Sequence, residues 1–372
     1  MTKLLFLLVP ILVLSSISQS RTNYCSRHQF HYYLHQDLAY IFLIIILIFF
    51  SGLRIEYNDT WNYIDGFNKS PLLSDFLKNP DSYNIFKNPL FFFLQALLKT
   101  TVGNPQWLIF LSSAFTQICF ILFFKRYSSH FTFTVFLYFT YGTFCFSLAA
   151  LKQVLAMAVI TLAIPFLEKK QWSRYFFLVF IAMLIHTYAL IFIVLPLFRR
   201  KPWKLFTLLF VAVMIFVMMN FQDVIEEFME QANELGKTLA DYEVFSDNTI
   251  NTLRLMVYAV VPAISFLFRK RLFQHAPPKQ YLLVHMSILS LAFMSMGTQA
   301  GANMFARMGT YFELGTLCTL PWMLDQIFDR KSFRLISCIA IVMFSLYFIY
   351  SFGINISFDA IYKVGSVWRL FA

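Results

Sequence analysis

Five polar connections carry clustered Lys and Arg (KRY at 125–127, EKKQWSR at 168–174, RRKPWK at 199–204, RKR at 269–271, DRKSFR at 329–334), and Arg54, Lys152 and Arg307 lie outside all five. Cytoplasmic loops of membrane proteins gather Lys and Arg. A cation kept elsewhere needs another reason, such as an anionic ligand. Arg54 sits in SGLRIEYNDTWNY, followed by Glu56, Tyr57, Asp59 and Tyr63. A planar guanidinium grips phosphate oxygens in pairs, and a neighbouring carboxylate orients it or takes a proton. A snorkelling helix-end arginine with a local counter-ion fits the same residues. Lys152-Gln153 interrupts the apolar run FCFSLAALKQVLAMAVITLAI, where a lysine is costly unless it snorkels or meets an anion. Arg307, in GANMFARMGTYFEL, either binds phosphate or pairs with Glu313. His186 falls mid-way along an apolar stretch, where an ionisable group is a functional candidate, or a neutral imidazole satisfied by a neighbouring helix. His285 and Asp325 sit near span ends and point less clearly to chemistry.

The elements that must position these groups are membrane helices. The 372 residues are 59% hydrophobic and 13% charged, with a mean hydropathy of +0.64. A soluble domain carries roughly 25% charged residues. The net charge of +11 is concentrated in short loops between apolar runs, so positive-inside anchoring explains it and nucleic acid is not implied. Five cysteines form no CxxC pair, which leaves no sign of a zinc site or a disulfide framework. Walker, GxGxxG, HExxH and GxSxG patterns are also missing. Most of the 47 Phe must face lipid or core, while Tyr57, Trp61, Tyr63 and Tyr311 are rings able to stack on sugars.

Apolar runs near 3–19, 39–53, 106–124, 131–149, 153–167, 203–220, 252–268, 280–297, 309–328 and 335–352 predict an all-α, polytopic integral membrane protein in one domain over 1–372. The first run also has the make-up of a signal peptide, with Lys3 as its charged end and SSISQS as its small-residue region. The stretch 175–198 has basic loops at both ends, and one straight helix would put one loop outside. Two half-helices meeting near His186-Thr187, each about 16 Å long, keep both loops inside. The fold expected is therefore about 11 transmembrane helices plus a half-helix hairpin. The region 85–103 reads as a re-entrant or interfacial helix. On the outer face this leaves the 54–88 loop, the turn at 150–152, the acidic 220–251 segment, 298–308 and the C-terminal tail. Within 222–247, Val224, Phe228, Leu235 and Leu239 oppose Asp223, Glu226, Glu227, Glu230 and Glu234 as an amphipathic helix, either a flap over a cavity or a solvated connector.

In their order, SGLRIEYNDTWNY, NPLFFFLQALL, LKQVLA, MLIHTYALIFIVLP, RRKPW, NTLRLMVYAVVP, HMSILSLAFM and FARMGTYFEL resemble the EpsG family over most of residues 40–325. These are multispanning proteins of bacterial exopolysaccharide and capsule loci, similar to Wzy-type polymerases. The resemblance implies a GT-C-like fold, residence in the bacterial cytoplasmic (inner) membrane, and polymerisation of polyprenyl-diphosphate-linked oligosaccharide repeat units at its outer face. Arg54, Asp59 and Tyr63 match the first motif, Gln153 the second, His186 the third, and Arg307 with Tyr311 the last. Three departures stand out. Lys152 replaces the usual arginine, the glycine common between Arg54 and Asp59 is missing (Tyr57-Asn58 stand there), and Thr187-Tyr188 replace the usual serine beside the histidine.

The chemistry expected is glycosyl transfer from a lipid diphosphate with no cofactor or obligatory metal. Arg54, Lys152 and Arg307 stabilise the leaving diphosphate, with Gln153, Tyr63 and Tyr311 as further substrate contacts. Asp59 is the first choice of base and His186 the second. Two rival classes are an exporter of lipid-linked glycan, which would also need a basic outer cavity but often shows internal repeats with paired broken helices, and a noncatalytic scaffold among other polysaccharide assembly proteins, which has no need of three outer cations.

Overall fold

The protein is described by a computed structural model, which covers residues 1–27, 34–78, 87–220, 250–298 and 303–371. Every apolar run named above is helical over most of its length. Among the described residues, four helices are long and apolar enough to cross a bilayer: Thr2–Ser26, Pro105–Tyr127, Leu151–Glu168 and Arg330–Asn355. Counting the bent pair Phe131–Thr140 and Thr143–Ala149 as one span makes five. The architecture is all-α apart from two short strands, an exception the apolar pattern did not announce. The acidic 222–247 stretch lies outside the described residues.

The chain divides into two compact units, Met1–Leu190 with Leu335–Ala372, and Ile191–Arg334. In the first unit, α1 (Thr2–Arg27) packs on α2 (Leu38–Gly52), which in turn packs on α6 (Pro105–Tyr127). Asp37 starts α2 by accepting the Tyr40 N–H at 3.1 Å, an N-cap interaction that satisfies one orphan donor. Gly52 ends it at a close approach, since a Cβ there would lie 2.6 Å from the Phe110 ring. The next residues leave the helix. Arg54–Glu56 form β1, paired antiparallel with β2 (Lys363–Val364) of the C-terminal tail, so Arg54 belongs to a strand and does not end a span.

Two short helices follow, α3 (Thr60–Lys69) and α4 (Leu73–Lys78), and then α5 (Pro89–Thr101). At 13 residues α5 is about 20 Å long, short of a full crossing. The expected single span 131–149 is broken into α7 (Phe131–Thr140) and α8 (Thr143–Ala149), bent by 55°. The joint is Gly142, at φ +99, and a Cβ there would meet the Phe352 ring at 2.9 Å. Both facts call for glycine. α9 (Leu151–Glu168) begins one residue after α8 ends, and α10 (Trp172–Ile185) packs along it. The expected break at His186-Thr187 is present: His186 is extended (φ −151, ψ 115), and the following Thr187–Arg199 is a 3-10 segment where α-helix was expected.

The second unit is centred on Pro278–Met296, packed against Thr252–Leu267 and Glu313–Ile327. Residues 303–308 of the expected 298–308 loop belong to a helix, Asn303–Thr310. Gly309 and Gly315 allow these helices to approach closely, since their Cβ atoms would meet the Ser290 carbonyl at 2.9 Å and Met286 at 2.6 Å. His285 is buried and fully engaged, its ring nitrogens 2.9 Å from Thr207 Oγ1 and 2.8 Å from the Tyr281 carbonyl.

Candidate functional site

Arg54 is fully buried. Its strand is held on both sides. Gln106 Nε2 donates to the Gly52 and Arg54 carbonyls at 2.7 and 3.1 Å, and Gly365 N–H donates to the Leu53 carbonyl at 2.8 Å. The guanidinium donates from Nε to Thr60 Oγ1 at 3.3 Å, and from Nη1 to the Ser51 carbonyl and to Ser113 Oγ at 2.7 Å. Its Nη2 has no hydrogen-bond partner among the described residues. No carboxylate pairs with it among the described residues; Glu56, the nearest acid in sequence, bonds Lys363 at 2.6 Å instead. Burial draws the Arg54 pKa down from 12.5 to about 10, opposed by the nearby Tyr362, Tyr63 and Tyr57 phenols. The group is thus a cation at neutral pH without a counter-ion, an arrangement that costs several kcal/mol unless an anion compensates it.

Above this strand lies the C-terminal tail. Tyr362 stacks on Phe50 with ring centroids 4.7 Å apart and donates its hydroxyl to the Phe50 carbonyl. Phe358 stacks on Tyr362 at 4.9 Å and tilts against Tyr57 at 5.1 Å. Asp359 anchors the tail on the start of α1 by accepting the Thr2 and Lys3 N–H groups at 2.7 and 3.1 Å.

The other first-unit candidates converge on α5. Tyr63, which is among the electrostatic neighbours of Arg54, meets the Phe91 ring edge-on at 6.1 Å. Lys152 Nζ lies over the same ring at 5.7 Å and over Phe92 at 5.8 Å. Lys152 is the second residue of α9, at the positive end of the helix macrodipole, where an anion is favoured and a lysine is not. Gln153 beside it is buried. At the start of α5, Asn88 Oδ1 accepts from Thr187 N and Oγ1 at 3.1 and 3.3 Å. This ties the broken helix to the start of α5, three residues before Phe91. His186 is half-buried in the break, 5.0 Å from the Tyr188 ring. The first turn of α5 is therefore the hub: Phe91 meets Tyr63 and Lys152, and Asn88 holds the His186 break.

Asp59 precedes α3 and accepts the Tyr63 N–H through its carbonyl at 3.2 Å, while its half-buried side chain makes no cap bond. Asn58 has φ +45. A left-handed residue there is what glycine would supply most readily, and asparagine is among the few others that tolerate it. That accounts for the missing glycine. Arg307 and Tyr311 lie in the second unit. Arg307 is half-buried in Asn303–Thr310, with its carbonyl accepting from Thr310 Oγ1 at 2.7 Å. Tyr311 is buried against Phe192, at 6.1 Å. Of the rings expected to stack on sugars, Tyr57 and Tyr311 are thus core residues, Tyr63 is half-buried and Trp61 is exposed. Among the described residues no three of His, Cys, Asp and Glu converge as a metal site would require.

Sequence reasoning missed Ser51, Thr60, Ser113, Asn88, Phe91 and Tyr362. One signal was available: Gln106, Ser112, Ser113, Thr116 and Gln117 form a buried polar stripe on an otherwise apolar helix. Tyr362 carried none, because its role depends on a pairing some 310 residues distant in sequence.

The family model of the EpsG family matches residues 37–362. The chain belongs to the EpsG family. None of the curated proteins and none of the solved structures compared with it matches. Membership, together with the apolar helices, makes this EpsG-family chain a membrane protein and points to a polysaccharide-polymerase type of role.

Proposed function

We propose that this EpsG-family protein polymerises polyprenyl-diphosphate-linked oligosaccharide repeat units into exopolysaccharide or capsule at the outer face of the cytoplasmic membrane. The observation that supports this beyond family membership is the buried, carboxylate-free Arg54 with its unspent Nη2. A phosphate oxygen is the anion that such a donor accommodates.

In the proposed reaction, the acceptor hydroxyl oxygen bonds to the donor sugar's anomeric carbon as the bond from that carbon to the diphosphate oxygen breaks. The hydroxyl proton passes to Asp59, and the lipid diphosphate leaves with the electron pair. Arg54 and Lys152 stabilise the charge that develops on it. Tyr63 and Gln153 position donor groups beside Phe91, and His186 orients the acceptor or replaces Asp59 as base. Arg307 and Tyr311 are proposed substrate contacts of the second unit.

Purified protein in liposomes, given lipid-linked repeats, should build a ladder of glycan lengths. Asp59→Asn should bind donor yet build none. A ladder of wild-type intensity from Asp59→Asn moves the base to His186. Single repeats crossing the bilayer without a ladder from folded wild type would replace the polymerase by an exporter.

A further inference from the structure

A cavity lies where the α5–α6 turn meets the end of the tail. It is an open cleft of about 1100 Å³, lined by Ile64, Asn104, Gln106, Trp107, Arg369 and Phe371 among others. That is just above the range of pockets that enclose drug-sized molecules, about 300–1,000 Å³, and leaves room for several sugar rings. No acidic residue lines it.

Its walls are fixed. Asn104 caps α6 through its Oδ1, which accepts Gln106 N–H at 2.8 Å, and its Nδ2 donates to the Arg369 carbonyl at 2.7 Å. Trp107 Nε1 donates to the Leu370 carbonyl at 2.7 Å, and Phe371 stands edge-on to the indole at 6.4 Å. The Arg369 stem crosses Gly365, where an added Cβ would come within 2.7 Å of Arg369 Cδ. Its guanidinium has no partner among the described residues, and Phe371 is 73% exposed. Aromatic faces beside one uncommitted cation, with no acidic side chain among the described lining residues, suit a ligand that is ring-shaped, hydroxylated and anionic. Gln106 also connects this wall to the catalytic strand, because its amide holds the Arg54 carbonyl.

We propose that this cleft binds an acidic segment of a glycan chain, with sugar rings against Trp107 and Phe371 and a carboxylate or phosphate on Arg369. The proposal rests on the polymerase reading for its ligand class, and it assigns the cleft to the acceptor or product chain rather than to the lipid diphosphate. An anionic lipid headgroup shares this chemistry, and the test separates the two.

Purified full-length protein in neutral detergent is titrated with tetragalacturonate and, separately, with neutral maltotetraose, with tryptophan fluorescence as the readout. Tetragalacturonate should bind at least tenfold more tightly than maltotetraose. Arg369→Gln should weaken it about tenfold, as expected for one lost charge-assisted contact. Phe371→Ala should weaken it severalfold, and Gly365→Ala should weaken it by displacing the Arg369 stem. Equal, weak binding of both sugars by wild type and all three variants would overturn the proposal. So would strong quenching of Trp107 by acyl-brominated lipids in nanodiscs, which would place the cleft in the bilayer. Because binding is read without turnover, a ladder without tetragalacturonate binding sinks this proposal alone. Binding without a ladder sinks the polymerase reading alone.

Discussion

Ser113→Ala removes a single hydroxyl from the Arg54 cage. The bond it deletes is 2.7 Å long, donated by a fully buried guanidinium, and it shares Nη1 with the Ser51 carbonyl. A hydrogen bond to a charged group contributes about 1.5–3 kcal/mol net, and leaving its buried partner unsatisfied falls in the same range. If all of that acts on the orientation of Nη2, the polymerisation rate should fall roughly tenfold to a hundredfold, at about 1.4 kcal/mol per decade. Ser113→Thr keeps the hydroxyl and should retain far more activity. The assay is the glycan ladder from purified protein, with melting temperature measured in parallel. A Ser113→Ala protein that makes a wild-type ladder at wild-type rate would refute the claim that the cage positions Arg54 for an anion.

Lys152→Arg keeps the charge over Phe91 and should retain more ladder formation than Lys152→Ala, at equal membrane abundance; equal loss in both would show that the lysine ammonium itself is required. Burial draws Arg54 down to about 10, so its charge persists at neutral pH and is lost as pH rises past 10. Donor affinity, measured in the Lys152→Arg background to remove the lysine titration, should therefore decline between pH 9 and 11, and a flat profile would separate Arg54 from the donor. Gly142→Ala forces a Cβ onto φ +99 and against Phe352, and should destabilise the protein by about 1–3 kcal/mol; an unchanged melting temperature would mean the bend is not needed.

Much of the helical layout was legible because lipid-compatible runs and punctuating charges are dictated by solvent. The break at His186-Thr187 was legible for the same reason, since basic loops at both ends of 175–198 make a straight helix awkward. The bend at Gly142 was not, because an apolar run looks alike whether straight or kinked, and the positive φ and the packing of Phe352 that make the glycine necessary appear only in the fold. Arg54, Lys152, Tyr63 and His186 could be singled out as polar groups in apolar surroundings. The convergence of Tyr63 and Lys152 on Phe91 could not, since that ring looks like any other of the 47 phenylalanines. The tail over Arg54 was likewise hidden, because β1–β2 pairing joins two segments with no periodicity of their own.

The central claim is that the lipid diphosphate sits at the Phe91 hub, reached by Arg54 and Lys152. A polyprenyl diphosphate carrying a diazirine on the isoprene next to the phosphates, photolysed with the protein in liposomes and mapped by peptide mass spectrometry, tests it directly. The account predicts label in the peptides spanning 54–69 and 87–101, lost on competition with unlabelled lipid diphosphate and reduced in Arg54→Gln. Competable label confined to Arg330–Phe348, with 54–69 and 87–101 unmarked, would contradict it.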